Sequence, residues 1–149
     1  MKKSLITPII FLSLFLFNSA HAKLNDDVQQ AIETFLYGAS VNDSAAHRNF
    51  WSEQLTYTSS SGERFGWAEL SSGLSDAKPL SEEDVSAWYT GEDFEFKRFG
   101  DAVLVNFTLV STPVDNEQSQ QRFYNTGVLI KEKGAWRAVN WNATKATIK

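Results

Sequence analysis

Asp43 and His47 are the pair of side chains in this sequence best suited to acid–base chemistry. They lie four residues apart, a spacing that places them on one face of a helix. A histidine titrates near neutral pH, so with a neighbouring carboxylate it can move a proton next to a carbonyl group. The alternative is that Asp43 caps a helix and His47 lies at the surface. The sequence leaves both interpretations open.

A second set of candidates lies near the end of the chain, where the alternation of side chains is typical of strands. Asn140 and Asn142 share one strand face, and Arg122 and Tyr124 share a face of the preceding strand. Asparagine can orient a ligand by hydrogen bonds but does not exchange protons near neutral pH. Arg122 could bind a ligand carboxylate or form an ion pair with an acid such as Glu95.

Four further residues could line a ligand pocket. Asn106 interrupts an apolar strand, and a polar side chain there must find hydrogen bonds in a pocket or with solvent. Tyr57, Trp67 and Trp88 could form an aromatic wall around a small molecule. Aromatic residues at this density in a small domain are more often part of the core, so both roles remain open.

The sequence indicates no metal site and no cofactor. The chain has no cysteine and two histidines, and no carboxylates at ligand spacing accompany His47. A glycine-rich phosphate loop and the nucleophile elbow of hydrolases are also missing. A small organic molecule is therefore the ligand class that the residues favour.

The first 22 residues have the three parts of a cleavable secretory signal peptide. Lys2 and Lys3 are followed by an apolar stretch over residues 5–17, and Ala20 and Ala22 form the small-residue exit that a signal peptidase reads. A transmembrane anchor is the alternative, but such a stretch is shorter than the ~20 residues needed to cross a bilayer. We expect cleavage after Ala22 and a periplasmic or secreted protein.

Removal of this leader leaves residues 23–149 as a single acidic domain. The leader contains two lysines and no acid, so its loss changes the formal net charge from −4 to −6. Nucleic acids and anionic membranes both select basic surfaces, and neither is expected as a partner. Without cysteine, the fold must be stabilised by packing alone.

Three helices are predicted in the first half of the mature chain. The first covers residues 24–41 and is capped by Asn25 or Asp26. The second runs from Asp43 to about Trp51, and the third from about residue 66 to 73, with a strand over residues 55–58 between them. The first helix has an apolar stripe that consists of Val28, Ile32, Phe35, Leu36 and Ala39.

After residue 84 the pattern changes to the alternation of strands, which predicts an antiparallel meander. Helices first and strands afterwards is the order of the α+β class. The four predicted strands are residues 85–97, 102–112, 120–131 and 135–144.

Three stretches together resemble the NTF2-like superfamily and, within it, the small SnoaL-like and DUF4440-type domains. They are LTYTSSSGERFGWAEL at residues 55–70, FGDAVLVNFTLV at 99–110 and RFYNTGVLIKEKGAWRAVNWNAT at 122–144. The resemblance implies a cone, in which a curved antiparallel sheet wraps the first helix. One end of such a cone usually opens into an apolar pocket, and the outer face of the sheet often forms a homodimer.

This fold hosts many functions, so the resemblance implies three expectations. The leading one is that the exported domain binds a small, partly apolar ligand in the cone. The second is an isomerase, dehydratase or cyclase, with Asp43 or His47 as general base and Tyr57 or Tyr124 polarising a carbonyl. The third is a dimeric interaction module. Family members often carry histidine where Asn140 and Asn142 stand, which disfavours catalysis by those positions.

Overall fold

The computed structural model describes residues 13–74 and 76–147, with side chains from Ala22 onward except that of Gln118. Residues 1–12, which hold much of the predicted leader, lie outside this description. The described residues form three α-helices and one six-stranded sheet. The helices are α1 (Ser13–Ser40), α2 (Ser44–Phe50) and α3 (Trp67–Ser72). The strands are β1 (Trp51–Thr58), β2 (Arg64–Gly66), β3 (Ala87–Phe99), β4 (Ala102–Pro113), β5 (Gln121–Glu132) and β6 (Ala135–Lys145).

The strands lie in the order β2-β1-β6-β5-β4-β3, which confirms the α+β class. Strands β3 to β6 form the predicted meander of antiparallel neighbours. The expectation of a wholly antiparallel sheet is wrong at one pair, because β1 runs parallel to β6. Parallel neighbours are joined by a long crossover rather than a hairpin, and here α3 and the meander itself make that connection.

Helix α1 supplies the centre of the core, as its apolar stripe predicts. Val28 and Ile32 are fully buried, and Phe35 and Leu36 are nearly so. The predicted start near residue 24 is wrong, because α1 already begins at Ser13. Residues 13–23 contain no glycine or proline and several strong helix formers, so nothing interrupts the helix there. None of the helices in the described residues is long and apolar enough to cross a membrane.

The sheet presents one apolar face to α1. On β4, Val103, Val105 and Phe107 are buried against the helix, as the alternation of that strand predicts. Gly127 on β5 leaves space for the Trp141 indole, since a Cβ there would stand 2.5 Å from the ring. The inner face is therefore a continuous aromatic and aliphatic core.

Candidate functional site

Asp43 acts as the N-cap of α2. Its Oδ1 accepts a hydrogen bond of 2.8 Å from the backbone N–H of Ala45. Capping of this kind satisfies one of the N–H groups that a helix start leaves unpaired. The cap sets the beginning of α2 and so places His47 one turn further on.

His47 makes a specific contact with the first residue of β1. Its Nδ1 accepts a hydrogen bond of 3.3 Å from the indole Nε1–H of Trp51. An imidazole that accepts at Nδ1 carries its proton on Nε2 when it is neutral. That Nε2–H has no hydrogen-bond partner among the described residues and is a free donor.

Burial lowers the pKa of His47, and the nearby Asp43 carboxylate opposes this effect only in part. The ring of Phe35 lies edge-on to the imidazole with centroids 5.2 Å apart, which accounts for part of the desolvation. The net shift of the pKa of His47 therefore favours the neutral imidazole.

A cavity of about 600 Å³ opens beside His47, in the size range of small-molecule pockets. We name it the His47 cavity. It lies between α1, α2, the hairpin of β1 and β2, and α3. Its apolar wall consists of Phe35, Trp51, Tyr57, Phe65, Leu70 and Leu74.

Tyr57 is the second polar group of this wall. Its ring stacks on Phe65 with centroids 4.9 Å apart and meets Trp51 edge-on at 5.6 Å. Burial raises the pKa of Tyr57, so its hydroxyl stays protonated at physiological pH. The hydroxyl makes no hydrogen bond to any residue that the structure describes. Tyr57 and His47 thus supply two unpaired donors to one cavity.

Charged side chains line the His47 cavity as well. Arg64 donates from Nε to Thr58 Oγ1 at 3.1 Å and forms no ion pair with a described carboxylate. Glu63 accepts a hydrogen bond of 3.2 Å from Ser61, and Glu69 lies on α3. An apolar wall with a few polar groups fits a ligand that has an apolar body and a polar end.

A smaller chamber of about 120 Å³ lies further inside the sheet and shares Tyr57 and Trp51 with the His47 cavity. Its polar residue is Asn125, which is only 3% exposed. Asn125 accepts a 2.8 Å hydrogen bond from Trp141 Nε1 and donates one of 3.0 Å to the carbonyl of Phe123. The buried amide is therefore paired through both its oxygen and its nitrogen.

Asn125 was missed among the sequence candidates. The alternation of β5 contains the signal, because Asn125 is the polar member of an otherwise apolar set with Phe123, Gly127 and Leu129.

The other aromatic candidates do not line the His47 cavity. Trp67 is the first residue of α3 and packs, partly buried, against the core. Trp88 stacks on Tyr37 of α1 with ring centroids 5.9 Å apart. Both residues contribute to packing.

The polar candidates on β4 to β6 lie on the face of the sheet that points away from α1. Asn106 and Asn142 flank Thr126 in register, and Asn106 accepts a 2.8 Å hydrogen bond from the Thr126 hydroxyl. Asn140 and Asn142 are exposed, and Tyr124 is 59% exposed. These residues do not meet His47 or Tyr57.

Arg122 also lies on this outer face, where it forms an ion pair with Glu92. The expected partner was an acid such as Glu95. A bulge in β3 between Glu92 and Glu95 shifts the register, and Glu95 lies opposite Asn106 instead. The pair is partly exposed, so we expect it to contribute little to stability.

No group of three or more side chains that could hold a metal ion occurs within residues 13–74 and 76–147. The candidate site of the described chain is the cavity formed by His47, Tyr57 and an aromatic wall.

Many solved structures have a similar architecture, among them the following three. An NTF2-like protein with a cystatin-like fold from Novosphingobium aromaticivorans superposes with a TM-score of 0.71 at 13% identity, over 95% of this chain and 94% of the other. The association domain of C. elegans CaMKII gives 0.68 at 17% identity, over 85% and 98% of the two chains. An NTF2-like protein of unknown function from Pseudomonas putida gives 0.68 at 11%, over 85% and 89%.

No family model matches the sequence. No curated protein matches it either. The structural likeness extends over most of the chain, and at these identities it shows the fold and not the function. The chain therefore has the NTF2-like fold, with N-terminal helices packed against a six-stranded mixed sheet.

Proposed function

We propose that the protein binds a small, partly apolar ligand in the His47 cavity. The observation that carries the proposal is the pair of unpaired donors, His47 Nε2–H and the Tyr57 hydroxyl, beside one aromatic wall. Two donors select a ligand with an acceptor, such as a carbonyl or a carboxylate. The stacked rings of Tyr57 and Phe65 offer a flat apolar surface to the body of the ligand.

A thermal-shift screen against small carbonyl compounds and aromatic acids tests this proposal, followed by calorimetry on any ligand found. Tyr57→Phe removes the hydroxyl. In His47→Asn the shorter amide takes the place of Nδ1 and no donor remains at the Nε2 position. We expect each variant to weaken binding by about 2- to 13-fold, as for a net hydrogen bond of about 0.5–1.5 kcal/mol. Tyr124→Phe removes the same hydroxyl from the outer face and should leave affinity unchanged. A ligand that binds Tyr57→Phe and His47→Asn as tightly as the wild type would overturn the assignment of its site to the His47 cavity.

The enzymatic alternative finds less support in the geometry. A general base needs a free lone pair, and the acceptor nitrogen of His47 is occupied by Trp51. Asp43 is occupied as the cap of α2 and does not line the cavity. Slow turnover of a bound carbonyl compound that is lost in His47→Asn would favour the isomerase, dehydratase or cyclase function over binding alone.

Export and homodimerisation belong to the same proposal. The leader pattern of residues 1–22 supports export to the periplasm or the medium, and the stretches quoted above support a place among the SnoaL-like and DUF4440-type domains. Exposed Tyr124, Asn140 and Asn142 on the outer face support a dimer through the sheet. Sedimentation equilibrium tests the dimer by measuring the molar mass of the wild type and of Tyr124→Glu. The variant would place a carboxylate from each protomer in the proposed interface, so it should be monomeric.

A further inference from the structure

A second cavity, of about 420 Å³, lies at a different place in the fold. It is bounded by residues 27–35 of α1, by α2 and by the turn between β5 and β6, and we name it the Trp136 cavity. It shares Phe35 with the His47 cavity, but neither His47 nor Tyr57 lines it. Its apolar wall includes Ala31, Phe35, Phe50 and Trp136.

The indole nitrogen of Trp136 has no hydrogen-bond partner. It is the one buried side-chain nitrogen or oxygen atom among the described residues that lacks a partner. A buried N–H left unpaired costs about 1–3 kcal/mol, so an acceptor that reaches this nitrogen recovers that free energy. Trp136 lines the cavity, but its Nε1 has almost no exposed surface, so a ligand acceptor reaches this nitrogen only when the indole ring turns.

A positive charge accompanies this donor. The ammonium group of Lys131, which also lines the cavity, lies 5.9 Å from the centroid of the Trp136 ring. Lys131 forms no ion pair with any described carboxylate. Asp27 of α1 contributes a negative charge to the same cavity, and its carboxylate is likewise unpaired among the described residues.

We infer that the Trp136 cavity binds a small monocarboxylate with an apolar body. The carboxylate accepts from Trp136 Nε1–H and pairs with Lys131, while the apolar body packs on Phe35 and Phe50. A modest rotation of the partly exposed indole presents its nitrogen to the ligand. Asp27 repels a second negative charge, so a dicarboxylate binds more weakly. This inference does not depend on a ligand in the His47 cavity.

Titration of the ¹⁵N-labelled protein with phenylacetate tests the inference through the indole N–H signals of its five tryptophans. Trp136→Phe identifies the Trp136 signal by its loss. We expect that signal to shift downfield and saturate, and the neutral analogue phenylacetamide to bind more weakly. Lys131→Gln should weaken phenylacetate binding by up to about fivefold, the upper range for a partly exposed ion pair, and Asp27→Asn should strengthen it.

Lys133→Gln is the matched control, because this lysine lies in the same turn and does not line the cavity. It should leave the affinity unchanged. Absence of a saturable shift of the Trp136 signal at millimolar phenylacetate would overturn the inference. So would a shift that survives Lys131→Gln and disappears in Tyr57→Phe, because the ligand would then occupy the His47 cavity.

Discussion

The hydrogen bond between His47 and Trp51 joins the protonation state of the imidazole to the packing of the core. Trp51 is almost fully buried, and its indole N–H is paired with His47 Nδ1. Protonation of His47 would place two N–H groups against each other and leave both without an acceptor. The same contact that orients the ring toward the cavity therefore also opposes its charging.

Stability should consequently fall on acidification. Burial lowers the pKa of His47 in the folded protein, so as pH falls through about 6.5 the unfolded chain takes up the proton first. The contribution is present above pH 6.5 and is lost as pH falls toward the folded pKa. Urea denaturation at steps between pH 7.5 and 5.5 measures it. His47→Asn keeps an acceptor for Trp51, but its amide does not titrate. If the free energy of unfolding changes with pH equally in the wild type and in His47→Asn, this account is contradicted.

Asn125 supports a second testable statement about a single residue. Asn125→Leu removes the acceptor of Trp141 Nε1 and leaves a buried donor unpaired, so we expect a loss of about 1–3 kcal/mol in the free energy of unfolding. Thr126→Ser, one position along β5 on the exposed face, keeps the hydroxyl that donates to Asn106 and should change it by less than about 0.5 kcal/mol. Similar losses in the two variants would show that the pairing of Asn125 is unimportant.

The sequence predicted some residues of the site and not others, for a physical reason. His47 and Tyr57 were both candidates because an imidazole and a phenol are chemically distinctive. Their meeting across α2 and β1 could not be predicted from spacing, since it depends on how the helix packs. Asn125 is one of several polar residues on β5. Which face of the strand packs on the core decides that Asn125 is buried and that its polar neighbours are exposed.

Among the elements, α1 and α2 pack unusually closely at one point. Gly38 of α1 faces Ala46 of α2, and a Cβ at position 38 would overlap the Ala46 side chain. The approach sets the angle at which α2 presents His47. Gly38 is therefore needed because a larger side chain would not fit between the helices, and not for the conformational freedom of its backbone.

Gly38→Ala should separate the two helices and destabilise the protein by about 1–3 kcal/mol, the usual range for overpacking. The Gly38→Ala protein should also bind a His47-cavity ligand less tightly, since α2 forms one wall of that cavity. Gly73→Ala is a suitable control for stability alone, because Gly73 has a helical backbone and an added Cβ would come no closer than 3.6 Å to another atom, whereas Gly73 itself lines the His47 cavity. Thermal unfolding and calorimetry measure both effects. Unchanged stability in Gly38→Ala would show that the helices can shift freely.

Strand β1 illustrates what periodicity leaves undetermined. Its residues predict a strand, but its partner β6 lies about 80 residues further along the chain. Arg137 of β6 donates hydrogen bonds to the carbonyls of Arg48 and Trp51, at 2.8 and 3.1 Å, and so attaches β6 to the junction of α2 and β1. A local pattern contains no information on such a pairing, whereas the hairpins between β3 and β6 follow from short turns.

At the scale of the whole molecule, the order of elements predicted the α+β class, and the resemblance to the NTF2-like superfamily supplied the cone. Helices followed by an alternating meander leave one apolar helix stripe and one apolar sheet face, and these two surfaces cover each other. The structural neighbours agree with this arrangement. The start of α1 was misjudged because leader residues and mature residues share the same helical propensity.

That continuity of α1 leads to a prediction about processing. The helix runs through the proposed cleavage point between Ala22 and Lys23, whereas a peptidase acts on an extended chain. Under the proposed export, cleavage would therefore precede folding of α1. Among the residues of α1 whose side chains the structure describes, contacts with the core begin at Leu24 and Val28, so loss of the leader removes no described contact. Asn25 or Asp26 is then available to cap the shortened helix.

We expect the protein exported from a bacterial host to begin at Lys23, as mass spectrometry of the periplasmic fraction would show. Ala20→Leu with Ala22→Leu enlarges the two small residues of the exit and should leave the leader attached. Residues 23–149 produced without the leader should unfold at the same temperature as the exported protein, because both retain every described core contact of α1. A substantially lower unfolding temperature for an otherwise identical chain would mean that export contributes to its folding, and a different N-terminus would place the cleavage elsewhere.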